Sequence, residues 1–522
     1  MNIVHVLDAQ AACRPHQIAL VDGRRSLTFA GLDAASRWAA LQLAGAGTGA
    51  DDRALVFCPM SVDLYVTLLG LFRIGAIAVF VDPSAGRDQI AACCDRLKPR
   101  AFVATHRAHL LRLISKAIAR IPVKLAIAGG IPGTPAVTHS LPSDIPSVER
   151  NIEPRHTTSP ALITFTSGST GRPNAVVRTH GFLLAQHEIL ARDLALRAGE
   201  VDLATLPVFV LANLASGLTS VIPDVDVRTP GLADPARLLR WTKRTRAVRT
   251  AASPALLERL AEHLITTGQR LEMDRVFTGG APVSLALMDR LAAVAPHATI
   301  TAVYGSSEAE PIACLRREEI TAHDRLQMRS GAGVLAGTPV SSIEVQVIPD
   351  AWGKPLGPYD VDTFAARALP SGCSGEIVVS GVHVLTGYLD GVGDERTKIR
   401  AGDQTWHRTG DAGYLDASGR IWLLGRCRAR LEDARGTLYP FAVECAAMDL
   451  AAVHRTALVQ HRGRRVLLVQ LRTPGRDASL RELGRRLDWA HLDELREVDR
   501  IPMDRRHNAK IDYPALREML GS

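Results

Sequence analysis

Thr166-Ser167-Gly168-Ser169-Thr170-Gly171-Arg172-Pro173-Asn174-Ala175 directly follows the apolar run 161–165, and the fold of the whole chain turns on how this stretch is read. A short apolar run bounded by turn formers reads as a buried strand. It ends in alternating glycines and hydroxyls, which present backbone N–H and side-chain O–H groups around a concavity and so suit phosphate oxygens. A helical pattern over 180–194 follows. Strand before and helix after set the loop apart from a flexible Ser/Gly linker. No Gly-Lys-Ser/Thr stands at Walker spacing, and no Gly-x-Gly-x-x-Gly turn is present. Nucleotide chemistry is the expectation.

Working outward, 522 residues exceed one ordinary core and suggest two to four units at roughly 100–200 residues each. Helical patterns alternate with short strands, as in 33–45, 53–57, 62–74 and 78–81, which is α/β organisation. The segment 64–80 is interrupted by Arg73 and two glycines, so it reads as a buried helix and strand rather than a membrane span. Residues 131–157, rich in proline and serine, read as a connection to the loop. Near Gly410 the pattern turns to hairpins, with a turn at Asp416-Ala417-Ser418-Gly419 and a strand at 420–424. After Gly425 a smaller α+β unit is expected, with strands at 456–459, 466–471 and 497–501 and helices at 480–487 and 513–520.

The net charge of +8 comes from 62 basic and 54 acidic residues, and only 5% of residues are aromatic. Stacking platforms for nucleic acid are therefore scarce, and arginines such as Arg462, Arg464, Arg465, Arg485 and Arg486 read as solvated faces. No nucleic-acid partner is expected. The eight cysteines, Cys13, Cys58, Cys93, Cys94, Cys314, Cys373, Cys427 and Cys445, form no Cys-x-x-Cys framework and read as reduced thiols in a cytoplasmic enzyme. The opening residues carry no signal-peptide pattern, and no integral membrane segment is expected.

The loop resembles the ATP-phosphate loop of the adenylate-forming superfamily, which includes acyl-CoA synthetases, luciferases and peptide-synthetase adenylation domains. Four further segments resemble the superfamily's motifs in the same chain order. Thr278-Gly279-Gly280-Ala281-Pro282 follows an apolar strand, and its glycines would let backbone lie against adenine. Tyr304-Gly305-Ser306-Ser307-Glu308 resembles Tyr-Gly-x-Thr-Glu, which implies a tyrosine on adenine, a hydroxyl at the α-phosphate and Glu308 on Mg2+. A hard cation needs only one carboxylate there if phosphate oxygens supply the rest. Thr409-Gly410-Asp411 resembles the segment whose aspartate accepts from both ribose hydroxyls, with Arg426 reaching ribose or phosphate. The C-terminal segment 501–511 places Lys510 where the family has its catalytic lysine.

The resemblance implies an adenylate-forming α/β fold: a large multi-subdomain α/β domain over 1–425, a hinge at 426–428 and a small mobile α+β domain over 429–522. ATP and Mg2+ are the implied cofactors. The implied catalytic residues are Lys510, Glu308, Ser307 and Thr166. Nucleotide contacts fall to Thr166, Ser167, Gly168, Ser169, Thr170, Gly171, Gly279, Gly280, Ala281, Tyr304, Gly305, Ser306, Ser307, Asp411, Arg426 and Lys510. The family's loop reads Pro-Lys-Gly where this chain has Pro173-Asn174-Ala175, so an amide stands in place of an ammonium, and Arg172 and Arg178 are the candidates to compensate.

Three places resemble OleC-type β-lactone synthetases: the Arg506-His507-Asn508-Ala509-Lys510-Ile511 ending, the segment 203–217, and Arg435-Gly436-Thr437-Leu438-Tyr439, where Arg435 replaces a glycine. His180, Phe209 and Val210 are the implied substrate-pocket residues, and His180 is the one named candidate for a base. This predicts ATP-dependent activation of a fatty 2-alkyl-3-hydroxy acid as acyl-adenylate, then closure to a β-lactone with release of AMP. The alternatives are an acyl-CoA or carrier-protein ligase, or a catalytically impaired nucleotide-binding homologue. The implied partners are a small-molecule carboxylic acid and enzymes of an olefin or β-lactone pathway.

Overall fold

The computed structural model describes residues 1–81, 86–138, 152–166, 174–227, 229–475, 477–503 and 511–521. The expected loop residues Ser167, Gly168, Ser169, Thr170 and Gly171, with Arg172, Pro173 and Lys510, lie outside the described residues, as does the side chain of Thr166. The chain divides into two compact units: Met1–Asp224 with Arg240–Thr250 and Gly387–Gly393, and Val225–Leu239 with Ala251–Thr386 and Asp394–Ser522.

The first unit is built on a six-stranded sheet in the order Val123–Ile127, Ala101–Thr105, Arg53–Phe57, Ile77–Phe80, Pro160–Thr166, Asn174–Thr179. Every pair is parallel except the last. Parallel strands are covered on both faces and so read as continuous apolar runs, as Ala54, Leu55 and Val56 do. The helix Val62–Arg73 is buried along its whole length, capped by Ser61, whose hydroxyl accepts from the Leu64 N–H. Its terminal Arg73 is buried with a charge: the guanidinium donates to Asp33 at 2.5 Å, Asp8 at 2.8 Å and the Ser36 hydroxyl at 2.9 Å. Removing one carboxylate would leave a buried charge underpaired.

The opening stretch is a hairpin, not a strand leading straight to a helix. Thr166 pairs with Asn174, and the strand Asn174–Thr179 runs back antiparallel before Thr179 caps the helix His180–Asp193. The β-branched Val176 and Val177 favour that strand, while the sequence pattern had given weight only to the helix beyond.

In the second unit eight strands follow one another across a sheet: Ile343–Ile348, Gly375–Gly381, Gln404–Leu415, Ile421–Arg426, Val334–Pro339, Ala309–Arg316, Thr299–Ser306 and Arg275–Gly279. The long strand Gln404–Leu415 also pairs, along its first residues, with Lys398–Ala401. Its register is pinned by a buried ion pair, Arg408 to Glu376 at 2.6 Å, with both side chains fully enclosed. A one-residue slip would move that pair to the other face.

The C-terminal segment has a three-stranded sheet, Val453–His461, Arg464–Leu471 and Glu494–Glu497, with helices Pro440–Met448, Asp477–Arg486 and Tyr513–Met519. The third strand lies earlier than the expected 497–501, because it pairs in parallel with Val466–Val469 through Glu494–Glu497. Ile501 instead packs against Ala457, Val459 and Leu516 as core outside any strand. Arg435 carries no strain: the left-handed residue of its hairpin is Gly436 at φ +99°, and the guanidinium bridges Asp433 and Asp493 at 2.9 and 2.8 Å. Arg465, expected on a solvated face, is buried and paired with Asp433 at 2.8 Å. Among the described residues none of the eight cysteines is joined in a disulfide, and no helix is long and apolar enough to cross a membrane.

Candidate active site

Three residues drawn from two of the motifs meet in the second unit. Asp411 and Arg426 are direct partners across the strands Gln404–Leu415 and Ile421–Arg426, and Tyr304 stands near the end of Thr299–Ser306, which lies further along the same sheet beyond two intervening strands. The Tyr304 hydroxyl donates to Asp411 Oδ2 at 2.8 Å, while Arg426 Nη1 lies 3.1 Å from Oδ1. Arg426 also donates to the Thr409 carbonyl at 2.9 Å, and the Asp411 N–H to the Thr409 hydroxyl at 3.0 Å. Burial first, then the Asp411 charge, pushes the Tyr304 phenol well above its ordinary range, so it stays a neutral donor. Asp411 in turn holds the Arg426 guanidinium above its ordinary range. Each carboxylate oxygen has two acceptor directions and spends one on a protein partner, leaving one on each for a vicinal diol.

Gly279 has a structural reason for being glycine. A Cβ there would stand 2.5 Å from the Val303 carbonyl oxygen, because the strands Arg275–Gly279 and Thr299–Ser306 run in close parallel pairing. Gly280, at φ +77°, then turns the chain toward Ala281.

Ser307 and Glu308 form the two-residue turn between Ser306 and Ala309, which pair across the hairpin. Ser307 is exposed and Glu308 buried, and the Glu308 N–H donates to the Ser306 hydroxyl at 3.2 Å. Among the described residues no group of three or more His, Cys, Asp or Glu could hold a metal. A single carboxylate such as Glu308 fits an ion whose other ligands are a nucleotide's phosphate oxygens. Behind the turn stand two residues the motifs did not single out. Lys398 and His407 face one another across paired strands, with Nζ 3.1 Å from Nδ1. Burial pushes the Lys398 ammonium down to about 7 against the pull of Glu308 and Asp394, and pushes His407 well below its usual value. Strand parity could place them together only once the register was known.

In the first unit the Asn174 side chain faces the backbone of Gly393: a Cβ on that glycine, at φ +101°, would lie 2.8 Å from Asn174 Oδ1. Arg178 is buried, with Nη1 donating to the Thr164 hydroxyl at 2.8 Å. His180 is fully buried; its Nδ1 accepts from the Ile3 N–H at 3.2 Å and its ring meets Phe72 edge-on. Burial, with Arg155 and the N-terminus, lowers it to about 4, so it is neutral and weakly basic. Phe209 and Val210 are buried on the helix Pro207–Ala215. The other face of that helix, through Val208 and Leu211, lines an apolar crevice with Leu183 and Phe72.

The second unit thus offers a carboxylate with a free acceptor direction on each oxygen, and the first a hairpin that opens after Thr166. The chain belongs to the family described as AMP-binding enzyme, whose profile matches residues 7–389, and it is an AMP-forming ligase of that family. It is 35% identical to olefin beta-lactone synthetase of Stenotrophomonas maltophilia, covering 99% of this chain and 97% of the relative. The protein of the same name from Xanthomonas campestris is 33% identical, covering 99% and 96%. Among solved structures, the amide bond synthetase McbA from Marinactinospora thermotolerans superposes with a TM-score of 0.80 at 21% identity, covering 99% of both chains. O-succinylbenzoate coenzyme A synthetase from Bacillus subtilis in complex with ATP and magnesium ion gives 0.76 at 20% identity, covering 99% of each. The adenylate-forming fold is thereby established over the full chain.

Proposed function

We propose that the enzyme activates a 2-alkyl-3-hydroxy fatty acid with ATP and closes it to a β-lactone. A carboxylate oxygen attacks the α-phosphorus and pyrophosphate leaves. The substrate's β-hydroxyl oxygen then attacks the acyl carbon, AMP departs with the former carboxylate oxygen, and the hydroxyl proton is lost. In this reading Asp411 accepts from the ribose diol, Tyr304 and Arg426 hold Asp411 in place, and residues 166–171 face the phosphates. Mg2+ bound by Glu308 and phosphate oxygens would neutralise charge on the leaving pyrophosphate. Lys510 supplies a positioned ammonium at the α-phosphate, where loss of one such donor costs about 3 kcal/mol. An internal nucleophile has a high effective molarity, which offsets strain in the four-membered ring.

The observation that carries this reading is the near full-length match to two relatives named olefin beta-lactone synthetase. Incubation with ATP, Mg2+ and a 2-alkyl-3-hydroxy acid, with and without CoA, tests it. Lactone formed without CoA is expected; a thioester formed only with CoA assigns the chain to the acyl-CoA ligases instead. Cytoplasmic location and a place beside enzymes that make the hydroxy acid and consume the lactone belong to the same proposal.

A further inference from the structure

We propose that Lys398 is a positioning residue for Glu308: paired with His407, it ties the 382–386 segment to the long strand Gln404–Leu415 and so fixes where the Glu308 turn stands. Lys398 sits opposite His407 in the antiparallel register of Lys398–Ala401 with Gln404–Leu415. Its ammonium donates to the Leu385 carbonyl and lies 3.1 Å from His407 Nδ1. His407 is hydrogen-bonded in turn to the backbone at Thr397, so the ring is fixed as the neutral tautomer that accepts at Nδ1. The Leu385 N–H donates to the Glu308 carbonyl at 2.7 Å. The same segment is stitched alongside by the Ala309–Val384 bridge and by His383 Nε2 against the Pro311 carbonyl at 2.7 Å.

The links run unbroken from Thr397 through His407, Lys398 and Leu385 to Glu308, and both side chains in them are at most 5% exposed. Enclosing an ammonium is costly, and an apolar chain of similar length would often pack as well or better. A methionine, however, has no proton to give Leu385. What the ammonium adds is direction: it sets the carbonyl of Leu385, whose peptide neighbour sets Glu308. The charges around Lys398 are Glu308 and Asp394, which favour the ammonium, and Arg400, which opposes it.

This inference rests on the proposed role of Glu308 toward metal–nucleotide, so its test reads binding rather than turnover alone. Mn2+ and a non-hydrolysable ATP analogue are titrated into the full chain, and free Mn2+ is followed by electron paramagnetic resonance. Supporting residues behind a metal ligand typically cost 10–100-fold in metal affinity when removed, so Lys398→Met is expected to weaken Mn2+–analogue binding about tenfold or more. Binding of the analogue in EDTA should stay within about twofold, and Lys398→Arg should recover most of the loss, since a guanidinium can still donate to Leu385. Acid-dependent pyrophosphate exchange should fall in parallel, with KM for the carboxylic acid unchanged.

If Lys398→Met does not fold, His407→Gln decides, with an expected loss of about threefold or more. Folded variants with wild-type Mn2+ affinity overturn this inference alone. A wild-type chain that binds no metal–nucleotide overturns the functional reading, and this inference with it.

Discussion

Asp411 divides its two oxygens between Tyr304 and Arg426, and this division sets what single substitutions should do. Asp411→Asn keeps the shape but removes the charge facing Arg426 and one acceptor for a diol. The expected result is a rise of about tenfold or more in KM for ATP in pyrophosphate exchange, since hydrogen bonds to charged groups are worth about 1.5–3 kcal/mol. Tyr304→Phe removes only the donor and should cost about three- to tenfold, and the two changes should be non-additive because they share a partner. Gly393→Ala is a stability test: positive φ and the 2.8 Å approach to Asn174 Oδ1 both oppose a Cβ, so a loss of about 1–3 kcal/mol in thermal or urea unfolding is expected. At this scale the meeting of Tyr304, Asp411 and Arg426 was legible because each sits in a short pattern with its own chemistry. Lys398 and His407 were not, since their meaning depends on a cross-strand pairing between residues nine apart with a reversal between them. The place of Asn174 was hidden likewise, since its neighbour Gly393 lies far along the chain.

Among the elements, the helix Pro440–Met448 shows how a buried group can bias the C-terminal sheet. Glu444 is enclosed; its Oε1 accepts from the Leu458 N–H at 2.9 Å and from the Tyr513 hydroxyl at 3.1 Å. Burial pushes its carboxyl up to about 7. Because the folded value lies above the unfolded one of roughly 4.3, stability is fully present below that unfolded value and is lost as pH rises through about 7. Glu444→Gln should therefore be more stable than wild type at pH 8.5, by up to about 3 kcal/mol, with the gap closing toward pH 5. Scanning calorimetry of the full chain at the two pH values checks this; a gap that does not change with pH contradicts it. The helix itself escaped the sequence reading because it opens at Pro440 directly after a short hairpin and carries no polar stripe to mark its period. The strand at Glu494–Glu497 was misplaced because three of its four residues are charged and all are half-buried, while the more apolar Ile501 nearby is core without pairing.

For the molecule as a whole, the order of motifs along the chain revealed the fold, and the family profile and full-length structural neighbours bear it out. Three of the motifs stand at or near strand ends: the loop after Pro160–Thr166, the glycines at the end of Arg275–Gly279, and Tyr304 near the end of Thr299–Ser306, while Asp411 lies within Gln404–Leu415. The fate of the adenylate is a separate matter, since closing a ring and passing the acyl group to a thiol share the first half-reaction. The central claim is that the carboxylate is activated and the substrate's own hydroxyl displaces AMP. Isotope tracing tests it directly, with a 2-alkyl-3-hydroxy acid carrying 18O in both carboxylate oxygens, incubated with ATP and Mg2+ and no thiol, and both products read by mass spectrometry. The account predicts one 18O in AMP and one in the lactone carbonyl, with the ring oxygen unlabelled. Unlabelled AMP with both labels retained in the lactone, or no lactone until a thiol is supplied, would contradict it.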